Sequence, residues 1–312
     1  MRGIFAALVL AGLGIGAARA HEGSDGPLRV VATIQPVHSL AAAVMEGAGA
    51  PQLLVKGAAS EHTFSLRPSD ARTLSGAEIV IRVSRNLESF LDRPIHSLSQ
   101  DAKIVTLAEL PGIALLPARV SGTFEPHVHD AQEEAGHGHD EGVYDPHLWL
   151  SPANAAVIAD HLAAVFGAAR PQQAALFTAN AEKLKARLAG LDADLRPRLA
   201  ALAGRDFIVF HDAYQYFEAH FGIHAAGSIT LGPQNQPGAA RLTAIRARIA
   251  RSRSPCVFAE PQFEPKLVQT VIEGTDARTG TLDGLGAALE PGPELYFQLL
   301  TKLTESLEGC LK

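Results

Sequence analysis

Only two cysteines, two methionines and one tryptophan occur in 312 residues. With so few thiolates and thioethers, a Cu(I) site and a cysteine-built zinc module are both excluded. There is no excess of basic charge. The chain has 27 Lys and Arg against 33 Asp and Glu, a net charge of −6, which argues against a partner made of phosphates. Charged residues are only 19% of the chain and mean hydropathy is +0.09, so the chain lies far from the disordered regime. Long apolar runs are missing except at the very start. What is plentiful is apolar surface for a core, at 47%, and histidine, with 13. The length suits two domains rather than one.

Residues 1–20, MRGIFAALVLAGLGIGAARA, have a basic Arg2, an apolar run from Ile4 to Gly16 and small residues at Ala18 and Ala20. This is the pattern of a secretory signal peptide cleaved after Ala20. No cysteine lies near the cut, so the expected product is exported and free of a lipid anchor. Export places Cys256 and Cys310 in an oxidising space. Thiolate metal ligands would want a C-x-x-C spacing, which is lacking. We therefore read the two cysteines as one disulfide, worth about 4 kcal/mol for a loop of this size in the chain-entropy model.

Short apolar runs alternate with helix-like stretches. RVVATI (29–34), LLV (53–55), EIVIRV (78–83), IVTL (104–107), FIVF (207–210) and CVFAE (256–260) read as buried strands. Segments 38–47, 68–77, 265–273 and 293–309 read as helices. The alternation predicts an α/β fold of two lobes, each with a mainly parallel sheet flanked by helices. In the middle, Phe177, Ala181, Leu184, Leu188, Leu191 and Leu195 recur at helical spacing. A helix from Pro171 to about Arg196, stopped or bent by Pro197, would span roughly 37 Å, long enough to connect two lobes. The expected organisation is a signal peptide (1–20), a first lobe (21–170), a connecting helix (171–203) and a second lobe (204–312). Residues 121–145 carry four histidines and seven acids with few large apolar groups, and are expected to form a mobile loop in the first lobe.

Three other histidines follow strand-like runs. His62 stands in EHTFSLRPSD, His147 in DPHLWLSP before a helix opened by Ser151 and Pro152, and His211 directly after FIVF. In open α/β sheets, ligands bind outside the carboxyl ends of the strands. Three imidazoles meeting there suit Zn²⁺, with a fourth ligand from Glu61, Asp283 or water. A buried, hydrogen-bonded imidazole is the plainer reading of each histidine taken alone.

The segments EHTFSLRPSD, DPHLWLSP, HDAYQYF, FAEPQF and TLDGLG, in this order, resemble the metal-binding solute-receptor family of ABC importers, and most of all its zinc-specific periplasmic members. The resemblance covers nearly the whole chain after residue 20, including the acidic His-rich loop and the paired cysteines. It implies two α/β lobes joined by one long helix, with the ion in the cleft between them. It also implies that His62, His147 and His211 bind zinc, and that Glu61 matches a carboxylate able to complete the shell. Asp283 matches an aspartate that is a ligand in manganese and some zinc members, although Gly284 stands where the family has a proline. Manganese-type relatives carry a carboxylate where this chain has His211, and imidazole in its place favours Zn²⁺. His127, His129, His137 and His139 are expected to capture zinc loosely beside the cleft.

The resulting expectation is high-affinity periplasmic Zn²⁺ binding and delivery, not turnover. The expected partners are the inner-membrane permease of a zinc importer and a periplasmic zinc chaperone. No nucleic acid is expected, and the protein should be a monomer. The competing readings are a secreted zinc-dependent hydrolase, which would want a metal-bound water and a nearby base, and a manganese-type receptor. No H-E-x-x-H and no G-x-S-x-G occurs to support the hydrolase.

Overall fold

The computed structural model describes residues 26–119, 144–232, 237–252 and 255–312. Residues 1–20 and the loop histidines His127, His129, His137 and His139 lie outside the described residues.

The apolar runs form two sheets of the same design. In the first, β1 (Val30–Ala32), β2 (Gln52–Leu53), β3 (Ile79–Arg82) and β4 (Lys103–Thr106) lie in the order β2-β1-β3-β4. In the second, β5 (Phe207–His211), β6 (Gly227–Thr230), β7 (Cys256–Ala259) and β8 (Arg278–Thr281) lie in the order β6-β5-β7-β8. Every pairing in both sheets is parallel. Parallel strands need helical crossovers that cover both faces, so β1, β3 and β5 are buried throughout.

Side chains alternate between the two faces. Val31 and Val80 join Leu54, Leu74 and Leu91 in an outer cluster of the first lobe, while Ile208, Phe210 and Val257 join Ile245 and Ile249 in an outer cluster of the second. Their neighbours Val30, Ala32, Ile79, Ile81, Phe207, Val209 and Phe258 all belong to one shared inner core.

That core includes the long helix expected between the lobes. Helices α1 (Gln35–Val44), α2 (Pro68–Ser75), α3 (Asp92–Leu98) and α4 (Pro152–Ala169) belong to the first half of the chain, and α5 (Ala174–Ala200) follows them. The α5 helix packs on α1 and α4 and on the C-terminal helix, burying Phe177, Ala181, Leu184, Leu188, Leu195 and Leu199 and leaving Leu191 half-buried. It departs from the expected bounds at both ends. Pro171–Gln173 is a separate 3-10 turn, and the helix continues through Pro197 to Ala200. Only the last turn follows the proline, and burial of Leu195 and Leu199 on either side outweighs the one lost backbone hydrogen bond.

The second half adds α6 (Gln215–Phe221), α7 (Ala239–Arg251), α8 (Lys266–Ile272) and α9 (Leu295–Leu311). Cys256 of β7 and Cys310 of α9 form the expected disulfide, with Cα atoms 6.0 Å apart. The apolar run at the very start is not the only one, since α4 is also long and apolar enough by composition to cross a membrane. Its apolar residues are instead spent on packing against α5 and α1.

Strands β6 and β8 were not expected, because GSIT and RTGT carry no apolar run. The edge strand β8 is largely exposed, and Gly280 is what lets it pair. A Cβ there would stand 2.5 Å from Cε1 of Phe258 and 3.6 Å from Cβ of Cys310. Gly280→Ala is therefore expected to cost about 1–3 kcal/mol by overpacking, measurable by chemical denaturation of the oxidised protein.

Candidate metal centre

The carboxyl ends of the strands bring the three histidines together. After β2 the chain turns at Ser60–Thr63, placing Glu61 and His62 ahead of α2, with the Ser60 hydroxyl accepting the His62 backbone N–H at 3.3 Å. His147 opens the 3-10 turn Leu148–Leu150. The Ser151 hydroxyl then accepts the Asn154 N–H and Pro152 begins α4, so the expected cap is in place. His211 is the last residue of β5. The first two histidines belong to one lobe and the third to the other.

Their ring nitrogens converge. His147 Nε2 lies 3.3 Å from His62 Nε2 and 3.3 Å from His211 Nε2, and one ligand nitrogen from each ring falls within 4.8 Å of the others. His147 and His211 are buried, and the His62 side chain is nearly so. Trp149 and Phe263 wall the site, their rings 5.3 Å from His147 and 5.6 Å from His211. The Trp149 indole is held by donating to Gly284 O at 2.9 Å, which joins the walls of the two lobes.

Two carboxylates that sequence reasoning missed aim the rings. Asp145 Oδ1 lies 2.7 Å from His147 Nδ1 and also accepts the His147 backbone N–H at 2.9 Å. Glu260 sits 2.7 Å from His211 Nδ1 through Oε2, and its Oε1 accepts the His211 backbone N–H at 3.1 Å. A carboxylate on Nδ1 holds that proton and leaves the Nε2 lone pair facing inward, the arrangement that supports metal-binding histidines. The signals for both were local. Asp145 is two residues before His147, and Glu260 ends the strand-like CVFAE, which pairs beside FIVF.

Burial governs the charges. It drives the His62 pKa down to about 2, helped by His147 and His211, and it holds His147 well below the usual imidazole range with the same push from His211. Burial also pulls on His211, but the adjacent Glu260, with Glu61 and Asp212, outweighs it and leaves that pKa raised. Burial lifts Glu61 to about 7, Glu260 and Asp283 adding to the effect while a backbone hydrogen bond and His211 oppose it. Asp145 is lifted by burial to about 6. Two unprotonated Nε2 lone pairs 3.3 Å apart repel each other unless a cation lies between them.

The carboxylates considered as fourth ligand stand differently. Glu61 Oε1 is 3.6 Å from His62 Nε2. Asp283 instead caps the turn after β8. Its Oδ1 accepts from the backbone N–H groups of Leu285 and Gly286 and from Gln262 Nε2, and its Oδ2 accepts from Ala287 N–H at 2.6 Å. Histidines without a metal context are tied elsewhere, His38 to Pro51 O, His161 to Pro111 O and His220 to Asp192.

Two parallel-sheet lobes on one helical strut, with an imidazole trio where they meet, define a metal-binding solute receptor. Residues 30–310 match the family model described as ZnuA, zinc-uptake complex component A, periplasmic. The chain is 43% identical over 304 residues to the high-affinity zinc uptake system protein ZnuA of Brucella abortus (strain 2308), covering 90% of this chain and 91% of that protein. It is 36% identical over 296 residues to the protein of the same name from Yersinia pestis, covering 91% of each. Its fold is shared with a crystal structure of ZnuA (TM-score 0.78, 22% identity, covering 92% of this chain and 100% of that one). It is shared also with the periplasmic zinc binding protein TroA from Treponema pallidum (TM-score 0.75, 19% identity, covering 92% of this chain and 99% of that one). The chain belongs to the ZnuA family.

If Asp145 and Glu260 aim the imidazoles, Asp145→Asn and Glu260→Gln should each weaken metal binding by about 10–100-fold while all three histidines remain. Competition against a calibrated zinc chelator would measure it, and an unchanged affinity would show that the carboxylates are not needed.

Proposed function

We propose that this chain captures Zn²⁺ with high affinity in the periplasm and hands it to the membrane permease of an ABC-type zinc importer. The observation that carries this reading is the meeting of three Nε2 nitrogens from two lobes, two of them backed by a carboxylate on the far side of the ring. The names of the relatives, high-affinity zinc uptake system proteins, support it.

The ligand set is His62, His147 and His211, with Glu61 completing four. Glu61 is favoured over Asp283 because it stands beside His62 Nε2, whereas four N–H donors occupy the Asp283 oxygens. Nitrogen-rich, four-coordinate binding suits Zn²⁺ and disfavours Mn²⁺, which takes harder oxygen donors. Filling the fourth position from the protein supports cargo binding over hydrolysis, which needs that position open to water. Export by cleavage after Ala20, loose capture by the histidines of 121–145, a periplasmic zinc chaperone as a second partner, and a monomeric state complete the reading.

Metal-stripped protein dialysed against equal zinc and manganese should retain about one tightly held zinc and exclude manganese. His147→Ala and His211→Ala should each lose it. Retained manganese, or tight zinc in either variant, would refute the ligand assignment.

Zinc affinity should also fall with acidity. His211 and Glu61 hold protons that zinc must displace, and their raised pKa values put the loss above the ordinary imidazole range. Affinity measured by chelator competition should drop by about tenfold or more from pH 8 to pH 6. A flat profile across that window would contradict it.

A further inference from the structure

Beside the metal centre the lobes are joined by a buried ionic contact that coordination does not use. Arg119 lies on first-lobe chain, close to Ala114, whose backbone N–H and C=O both bond the Asn154 side chain of α4. Its Nη1 donates to Asp212 Oδ1 at 2.9 Å and to Glu218 Oε1 at 3.3 Å, and its Nη2 donates to Glu218 Oε2 at 2.8 Å. The two acids are 5% and 1% exposed. Glu218, on α6 of the second lobe, also accepts the Ala225 N–H at 3.1 Å, and Asp212 directly follows His211. A second bridge runs alongside. The Tyr216 hydroxyl, also on α6, donates to Asp145 O at 2.8 Å and accepts the Leu116 N–H at 3.0 Å. Asp145 is the carboxylate that aims His147.

We propose that Arg119 is a positioning residue for metal release: its fork on Asp212 and Glu218 is the latch that keeps His211 against His62 and His147. The inference rests on reading those histidines as the zinc ligands. Two of them come from one lobe and the third from the other, so parting the lobes at this edge withdraws His211 from the shell. That movement must first pull the guanidinium from two buried carboxylates and leave both without their cation, which is costly and opposes dissociation more than association. An arginine suits the task because its planar fork reaches both acids at once, which an ammonium does not.

The test compares Arg119→Gln and Arg119→Lys with the wild type by stopped-flow release of zinc to a chelator. The zinc association rate and the melting temperature of the zinc-free protein are measured alongside. The Gln variant is expected to release zinc about tenfold faster with association changed by less than about twofold, and Lys to fall between Gln and wild type. The triple variant Arg119→Gln, Asp212→Asn, Glu218→Gln leaves no unpaired buried charge, so it keeps the test open if the single variant does not fold, and it too should release zinc fast. Release at the wild-type rate from a folded variant, even one with a lowered melting temperature, overturns the latch. His147→Ala run in parallel separates the two questions, since tight zinc in that variant overturns the ligand assignment whatever Arg119 does.

Discussion

Three imidazole nitrogens pressed toward one point repel one another, and the rest of the structure works to hold them there. The rings must be able to give up their protons, stay oriented and stay out of water. Burial supplies the first for His62 and His147, and carboxylates on Nδ1 of His147 and His211 supply the second. Trp149 and Phe263 supply the third by closing the sides. Buried carboxylates are themselves costly, so each is fixed by at least one backbone N–H as well as by its histidine. A divalent cation converts this crowded, mutually unfavourable set into a satisfied one, which is why the arrangement reads as a receptor for an ion and not as a hydrogen-bonded core.

The geometry follows from repeating one sheet design twice. In both sheets the first strand of the lobe lies second in the order, beside the third, so equivalent strand ends point toward the cleft. β5 delivers His211 at its last residue, and its neighbour β7 delivers Glu260 one residue past its end. In the first lobe the chain leaving β2 supplies Glu61 and His62, while His147 arrives from the head of the 3-10 turn Leu148–Leu150 that precedes α4. The long helix α5 then sets the spacing between lobes, because it packs against α1 and α4 of the first half of the chain and against α9 of the second.

Much of this was legible in the sequence because it is written in apolar runs and in histidines placed after them. FIVF and EIVIRV announce central strands, and the spacing from Phe177 to Leu195 announces the strut. The hidden parts are those whose residues are chosen by a neighbour distant in sequence. RTGT pairs as a strand beside β7 with Gly280 opposite Phe258, where a Cβ would clash, a requirement no local pattern encodes. Pro197 sits inside a helix because Leu195 and Leu199 are buried on tertiary partners. Glu260 and Asp145 look like ordinary loop acids until the fold sets them against His211 and His147. Among the candidate fourth ligands, the sequence leaves Glu61 and Asp283 both open, and what separates them is tertiary: Glu61 stands 3.6 Å from His62 Nε2, while the turn after β8 donates to the Asp283 oxygens.

The inner faces of both sheets, the strut and the C-terminal helix share one hydrophobic core. Polar stitches cross it as well, from Gln35 to the carbonyls of Gly286 and Leu289, and from the Tyr296 hydroxyl to Trp149 O. Neither lobe therefore owns a complete interior. Cut free of its neighbour, each would expose half of a shared packing surface, so the two halves behave as one heritable unit. Recombination that joined this first lobe to an unrelated second lobe would break the interior along with the cleft, and metal preference would change by substitution within the chain sooner than by exchange of lobes.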